Sequence, residues 1–235
     1  MSDSDTLPEF EVFAGPAELA AAAAGQITEA LRTGLRARGE ASFAASGGHT
    51  PIPAYERLAQ APLAWDAVTI VPTDERWVDP TSPESNEGML RQHLLTGPAE
   101  DARLLPLWSP KHEPMAAAAR ADLAVSSILP FDVALLGMGD DGHFASLFPG
   151  SPVLAEGLDP DGERFCLAVP KGDPAPPVTR ISLTLRALLD ARAIILLIEG
   201  ASKRKAFEAA MAGAHVPVRS LLTQDRTPVR VLWAP

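Results

Sequence analysis

Histidine is the side chain whose ordinary pKa, near ~6.5, lets it take and return a proton at neutral pH. His143 stands in a setting suited to that use. It follows Asp141-Gly142 just past a short apolar run, Val133-Ala134-Leu135-Leu136, within the stretch FDVALLGMGDDGHFASLFPG from Phe131 to Gly150. A carboxylate so close in sequence can fix the tautomer and orientation of an imidazole, as general acid–base chemistry requires. The same three residues also suit a turn that merely caps or packs a strand end. A second place with chemistry in it is Ser46-Gly47-Gly48-His49-Thr50-Pro51. Here two glycines let backbone N–H groups approach a bound group, and a following helix adds partial positive charge, so the turn suits a phosphate or is an ordinary strand-to-helix connection. A third is Lys203-Arg204-Lys205, three cations at the start of a helix. Cations there oppose the helix dipole by roughly 0.3–1 kcal/mol each. A bound anion would reverse that sign; extension of the side chains into water would soften it.

Gly137, Gly139 and Gly142 satisfy the G-x-G-x-x-G pattern of dinucleotide sites. The context speaks against that reading. A pyrophosphate cradle needs a long helix after the third glycine, whereas Pro149 stops this segment, and Asp140 and Asp141 would repel the anion. His49, His93, His112, His143 and His215 show no metal-ligand spacing, so no metal is expected. Cys166 is the single cysteine and sits in the apolar run Arg164 to Val169, which reads as a buried strand position rather than a nucleophile.

The elements that must position these groups alternate between strand and helix. An acidic tail over residues 1–9 is expected to be disordered, ahead of an α/β domain over 10–235. A short strand near Glu11 to Ala14 precedes a helix opened by Pro16, with Leu19, Ala23, Ile27, Leu31 and Leu35 forming one apolar stripe. A strand from Ala41 to Ala45 runs into the glycine turn, where Thr50 reads as the N-cap and Pro51 as the first residue of a helix through Tyr55 and Leu58. The next strand, Ala67 to Val71, delivers Asp74-Glu75-Arg76 to the sheet edge that carries His143, provided the strands are parallel. A polar loop, Trp77 to Glu87, is a candidate lid or a plain connection, and it leads to a helix with Met89, Leu90 and Leu94. Further strands are predicted at Leu104 to Trp108, around Cys166, at Arg180 to Leu185 and at Val229 to Trp233, with a helix from Glu113 to Leu129. The alternation in Arg180 to Leu185 predicts one face in water. Arg192 to Ile198, the most apolar run, leads into the Lys203 helix. Such runs, uninterrupted by polar residues, suit strands covered on both faces.

The 235-residue length is enough for one sizeable α/β domain, and 46% hydrophobic with 21% charged residues is ordinary for a globular chain. A net charge of −10 argues against nucleic acid and against an anionic membrane as partners, so an anionic substrate must be met by a local cluster of cations. The opening MSDSDTLPEF lacks the features of a secretion signal and no apolar run approaches the ~20 residues of a membrane span, so a cytoplasmic protein is expected.

Five blocks in order carry a resemblance: SGGHTP at 46–51, TDERWV followed by Ser85-Asn86 at 73–86, GMGDDGHFASLFPG at 137–150, RISLTL at 180–185, and Gly200-Ala201-Ser202-Lys203. Together they resemble the 6-phosphogluconolactonases, within the wider group that includes the glucosamine-6-phosphate isomerases, over nearly the whole chain. The resemblance implies a modified doubly wound, Rossmann-like α/β fold with a mostly parallel sheet flanked by helices. It also implies hydrolysis of 6-phospho-D-glucono-1,5-lactone in the pentose phosphate pathway, no cofactor, and a monomer or weak homodimer. His143 would be the general base with Asp141 orienting it, Arg76 would face the developing oxyanion, and Gly47, Gly48, Thr50, Arg180 and Lys203 would hold the phosphate. Asp74 would hold Arg76 or a sugar hydroxyl. Phe144 stands where the family often has threonine, which removes one hydroxyl, and His49 is placed to reach the phosphate. The aminosugar-phosphate isomerases of the same group carry a glutamate five residues after the histidine, where this chain has Phe148, and lack the counterpart of Arg76. A non-catalytic sugar-phosphate sensor would need no His143 and usually brings a helix-turn-helix, which this chain lacks.

Overall fold

The computed structural model describes residues 8–172 and 176–235. The described residues form ten strands and eight α-helices: β1 (Glu9–Val12), α1 (Pro16–Arg38), β2 (Ala41–Ala45), α2 (Ile52–Leu58), β3 (Val68–Pro72), β4 (Asp74–Arg76), α3 (Asn86–His93), β5 (Arg103–Leu104), α4 (Pro114–Ser126), β6 (Val133–Leu136), α5 (Leu154–Gly157), β7 (Cys166–Val169), β8 (Arg180–Leu183), α6 (Leu185–Leu189), β9 (Ile194–Glu199), α7 (Gly200–Met211), α8 (Pro217–Leu222) and β10 (Val229–Ala234). Seven of the strands form one sheet in the order β1-β10-β9-β6-β2-β3-β5, and every pairing in it is parallel. The sheet grows one way from β2 to β3 and β5, and the other way from β6 to β9 and β10. Its switch point therefore lies between β2 and β6, where the loops after the two strands part and a cleft opens at their carboxyl ends.

Alternate side chains of each strand feed two separate cores. Val133 and Leu135 of β6, with Ile195 and Leu197 of β9, pack with α1 residues such as Leu19, Ile27 and Leu31. Ala134 and Leu136, with Ile194, Leu196 and Ile198, pack on the other face with Ala117, Ala121 and Val125 of α4 and Leu221 of α8. Both faces are covered, which is why these strands read as unbroken apolar runs. At the amino ends of the strands, Asp132 is 2% exposed and accepts from the backbone of Ser42 at 2.9 Å, while Arg38 and Arg192 form ion pairs with it. This carboxylate ties α1, β2, β6 and the approach to β9 together opposite the cleft.

Strands β4, β8 and β7 form a second, antiparallel sheet. Nothing in the residue pattern marks β4, because its three positions are all charged and carry no apolar period. The stretch 180–185 was expected to keep one face in water, yet Arg180, Ile181, Ser182 and Leu183 are all buried. Its polar face turns inward: Arg180 and Ser182 look toward Asp74 and Ser146, not toward solvent. The strand also stops at Leu183, because the Thr184 hydroxyl accepts from Ala187 N–H and caps the short helix α6. Other boundaries move. The first strand is Glu9–Val12 instead of 11–14, since it pairs in register with Arg230 to Trp233. The strand expected at 104–108 is Arg103–Leu104, and the helix expected at 113–129 is Pro114–Ser126. Of the expected tail over 1–9, residues 1–7 lie outside the described residues, as do 173–175 of the proline-rich turn.

Candidate active site

His143 reaches the cleft because the loop after β6 folds tightly back on itself. Gly139 N–H donates to the carbonyl of His143 at 2.8 Å, and Gly142 N–H to that of Gly139 at 3.0 Å. A Cβ on Gly139 would collide with the ring of His143 and the carboxylate of Asp141. This glycine of the G-x-G-x-x-G match therefore makes room for an imidazole–carboxylate pair, not for a pyrophosphate. His143 Nδ1 lies 2.6 Å from Asp141 Oδ1, and the same oxygen accepts from the His143 backbone at 3.1 Å. Burial alone would raise the Asp141 carboxyl, but those bonds to His143 outweigh it and hold it below its usual range. An ionised Asp141 can only accept, so the proton of a neutral imidazole sits on Nδ1 and the lone pair on Nε2. The next residues diverge. Ala145 takes φ 47, and Phe144 turns into the core with no exposure at all. Phe144 therefore contributes packing and no polar contact to the cleft.

The cleft is a cavity of about 260 Å³ whose wall includes Gly47, Gly48, Thr50, Asp74, Arg76, His143, Arg180 and Lys203. All the expected site residues converge there except Asp141, which backs His143. The glycine turn is fastened across the switch point: Gly137 N–H donates to Ser46 Oγ at 3.2 Å, and Tyr55 Oη donates to the Ser46 carbonyl at 2.7 Å. Thr50 is not the N-cap of α2. Pro51 holds that position with no side-chain cap, so the Thr50 side chain takes a place in the cavity wall. His49 lines it as well.

Arg76 and Arg180 come from β4 and β8 and face each other directly in the antiparallel register. Like charges at such a pair destabilise a sheet unless anions sit between or beside them. Asp74, 6% exposed, is one such anion, and Ser146 Oγ donates to it at 2.5 Å. Burial lowers the Arg180 pKa and the nearby Asp74 charge opposes that shift. Arg76 does not rest on Asp74: its Nη1 donates to the Glu84 carbonyl at 2.6 Å. Its Nε is buried with no hydrogen-bond partner among the described residues. Buried donors without partners cost about 1–3 kcal/mol, so this N–H is an unmet demand in the structure.

Lys203 Nζ is 3.3 Å from Asp140, which also accepts from Ser202 Oγ at 2.8 Å. These contacts, the Ser202 hydroxyl first, hold the Asp140 carboxyl below its usual range. Only one of the three cations at the start of α7 lines the cavity. Arg204 leaves it, stacking 4.7 Å over Trp233 and bonding Glu208 at 2.8 Å, and Lys205 is not part of the wall either. The Phe148 ring lies 4.5 Å from that of His143 and 5.1 Å from the Arg180 guanidinium. Cys166 is buried in β7, and burial pushes its thiol well up.

Sequence reasoning passed over Glu75 and left Asn86 without a role. Glu75 is 1% exposed and accepts from the backbones of Arg76, Asn86 and Glu87 and from Ser85 Oγ. Asn86 Nδ2 donates to the Asp74 carbonyl at 2.7 Å, and its amide occupies the space a Cβ on Gly47 would need. A charged residue beside a strand end gives no sign of the helix terminus it will meet.

Residues 14–233 match the family described as glucosamine-6-phosphate isomerases/6-phosphogluconolactonase. A protein of Caulobacter vibrioides named 6-phosphogluconolactonase is 46% identical over 226 residues, covering 96% of this chain and 97% of its own. One of the same name from Pseudomonas putida is 43% identical over 220 residues, covering 92% of this chain and 89% of its own. The crystal structure of a 6-phosphogluconolactonase from Shewanella baltica superposes with a TM-score of 0.92 at 34% identity, covering 98% of this chain and 99% of that one. With the family match spanning nearly every described residue, the chain belongs to the glucosamine-6-phosphate isomerase/6-phosphogluconolactonase family.

Proposed function

We propose that this protein hydrolyses 6-phospho-D-glucono-1,5-lactone to 6-phospho-D-gluconate, a step of the pentose phosphate pathway. The observation that carries the reading is the shared cavity: His143, Arg76, Arg180 and Lys203 all line it, with Arg76 opposite Arg180 in the strand register. Names of relatives at 46% and 43% identity support the same reaction.

Nε2 of His143 takes a proton from a water as its oxygen attacks the lactone carbonyl carbon, while Asp141 holds the imidazole and balances the imidazolium that forms. Charge builds on the carbonyl oxygen of the tetrahedral intermediate, where the Arg76 guanidinium in the cavity wall stabilises it. Stabilisation of this kind is typically worth a few kcal/mol. The carbon–ring oxygen bond then breaks, and the imidazolium returns its proton to the departing oxygen. The phosphate lies against the Gly47 and Gly48 backbone, Thr50, Arg180 and Lys203, with Lys203 exchanging Asp140 for phosphate oxygens. Neither a metal nor a cofactor takes part. Because lactones open in water unaided, one base and one oxyanion donor give an adequate acceleration. The protein acts in the cytoplasm as a monomer or weak homodimer, and no helix among the described residues is long and apolar enough to cross a membrane.

A pH-stat assay with freshly made 6-phosphogluconolactone tests this. Rapid acid release is expected, with much slower release from the non-phosphorylated lactone and no conversion of glucosamine 6-phosphate. Equal rates on both lactones would overturn the phosphate site, and turnover of the aminosugar phosphate would move the chain to the isomerase branch.

A further inference from the structure

We propose that Glu75 is the positioning residue of this site, a buried carboxylate that clamps both ends of the 77–85 loop and so fixes Arg76 and Asn86 in the cavity wall. The inference rests on the lactonase reading above and assigns the loop's place in it.

Glu75 Oε1 accepts from Arg76 N–H and from Asn86 N–H, both at 2.8 Å. Its Oε2 accepts from Glu87 N–H at 2.6 Å and Ser85 Oγ at 3.0 Å. The residue entering the loop and the residue leaving it therefore share one oxygen. The helix α3 begins on this carboxylate: its first two backbone N–H groups end there, and the Ser85 hydroxyl caps the third, from Gly88, at 3.1 Å. Both neighbours so fixed face the cavity. Arg76 is then braced from the far side by the Glu84 carbonyl of the same loop. Asn86 passes the constraint on, because its amide orients Asp74 and presses against Gly47. One carboxylate thus sets the oxyanion donor, the aspartate beside Arg180 and the glycine turn.

The rest of the loop is fastened rather than hinged. Asp79 accepts from both the backbone and the hydroxyl of Thr81 at 2.9 and 2.7 Å, and the Pro80 carbonyl fills the space beside Gly88. Trp77 packs near Trp108, ring centres 6.3 Å apart. These contacts describe a bracket for Arg76, so the carboxylate must keep all four donors for the bracket to hold its shape. Glutamine at this position keeps the volume but turns an N–H₂ toward N–H donors, which breaks about half of the clamp.

The test is Glu75→Gln measured for kcat and KM on 6-phosphogluconolactone, alone and in an Arg76→Ala background. Misplacement of a catalytic group by about an ångström lowers rates by up to about 100-fold, so kcat should fall at least about tenfold, with KM moved less than about threefold. In the Arg76→Ala background the same change should cost less than about threefold, since the group it positions is already gone. An unchanged kcat in Glu75→Gln, or a loss undiminished in the Arg76→Ala background, would overturn the proposal. Should Glu75→Gln not fold, Ser85→Ala removes the hydroxyl bond to Oε2 together with the cap on Gly88 N–H, and must show a smaller loss of kcat that likewise vanishes without Arg76. Wild-type protein that fails to open the lactone would instead refute the lactonase reading itself.

Discussion

An imidazole serves as a base only while one nitrogen keeps its lone pair, and Asp141 decides which one at 2.6 Å from Nδ1. Removing the base should cost far more in rate than in stability, because the His143 side chain is 31% exposed and buries little. His143→Ala is expected to lower kcat by about 100-fold or more while the melting temperature hardly moves. Steady-state rates and a thermal melt check both halves. Arg180 is a different case: it is 4% exposed, and in the proposed reaction it holds the phosphate of the substrate. Losing a charge-assisted bond of about 1.5–3 kcal/mol should raise KM about tenfold or more in Arg180→Ala, with a smaller change in kcat. His143, Asp141 and the Gly47-Gly48 turn were legible in the sequence because their partners lie within a few positions of one another. The opposition of Arg76 and Arg180 was not, since it depends on a register between segments about a hundred residues apart.

At the scale of elements, the second sheet matters most. Its strands place Asp74 across from Ser182 and Arg76 across from Arg180, and its inner face is polar. Alternation in 180–183 is real, but a period of two says only that the faces differ, not which one meets water. Glu75 joins this sheet to α3, and its burial gives it a signature of its own. Burial pushes its carboxyl up from 4.5 to about 7, against the pull of the Glu87, Asn86, Ser85 and Arg76 donors. Between those pH values the folded state holds a proton that the unfolded chain has released. The stability due to this group is therefore full below about pH 4.5 and is lost as pH rises to about 7. A shift of this size corresponds to about 3 kcal/mol. The wild-type minus Glu75→Gln difference in unfolding free energy, measured by denaturant titration from pH 4.5 to 7.5, should fall across that window. A flat difference would place the Glu75 carboxyl in its ordinary range.

For the whole molecule, the cleft and the Asp132 cluster sit at opposite ends of one parallel sheet, so chemistry and cohesion are separable. Asp132→Ala would strand the buried Ser42 N–H and release Arg38 and Arg192, whose side chains are 34% and 51% exposed. A loss of about 2 kcal/mol in stability is expected, with kcat unchanged at temperatures where the protein stays folded. Strands covered on both faces and alternating with helices were legible, because unbroken apolar runs alternate with helical stripes; the doubly wound arrangement was what the resemblance implied. What the runs could not convey was the order of the strands, and with it the gap between β2 and β6 where the two turns meet.

Phe148 gives this arrangement a last consequence. Its ring is a hydrocarbon shim wedged between an imidazole and a guanidinium. The guanidinium gains a weak cation–π contact from it, and the imidazole a packing partner. Exchanging that shim for an acid, Phe148→Glu, would plant a carboxylate between two bases. That carboxylate would pair with the Arg180 guanidinium, and the hold of Arg180 on an incoming phosphate would weaken.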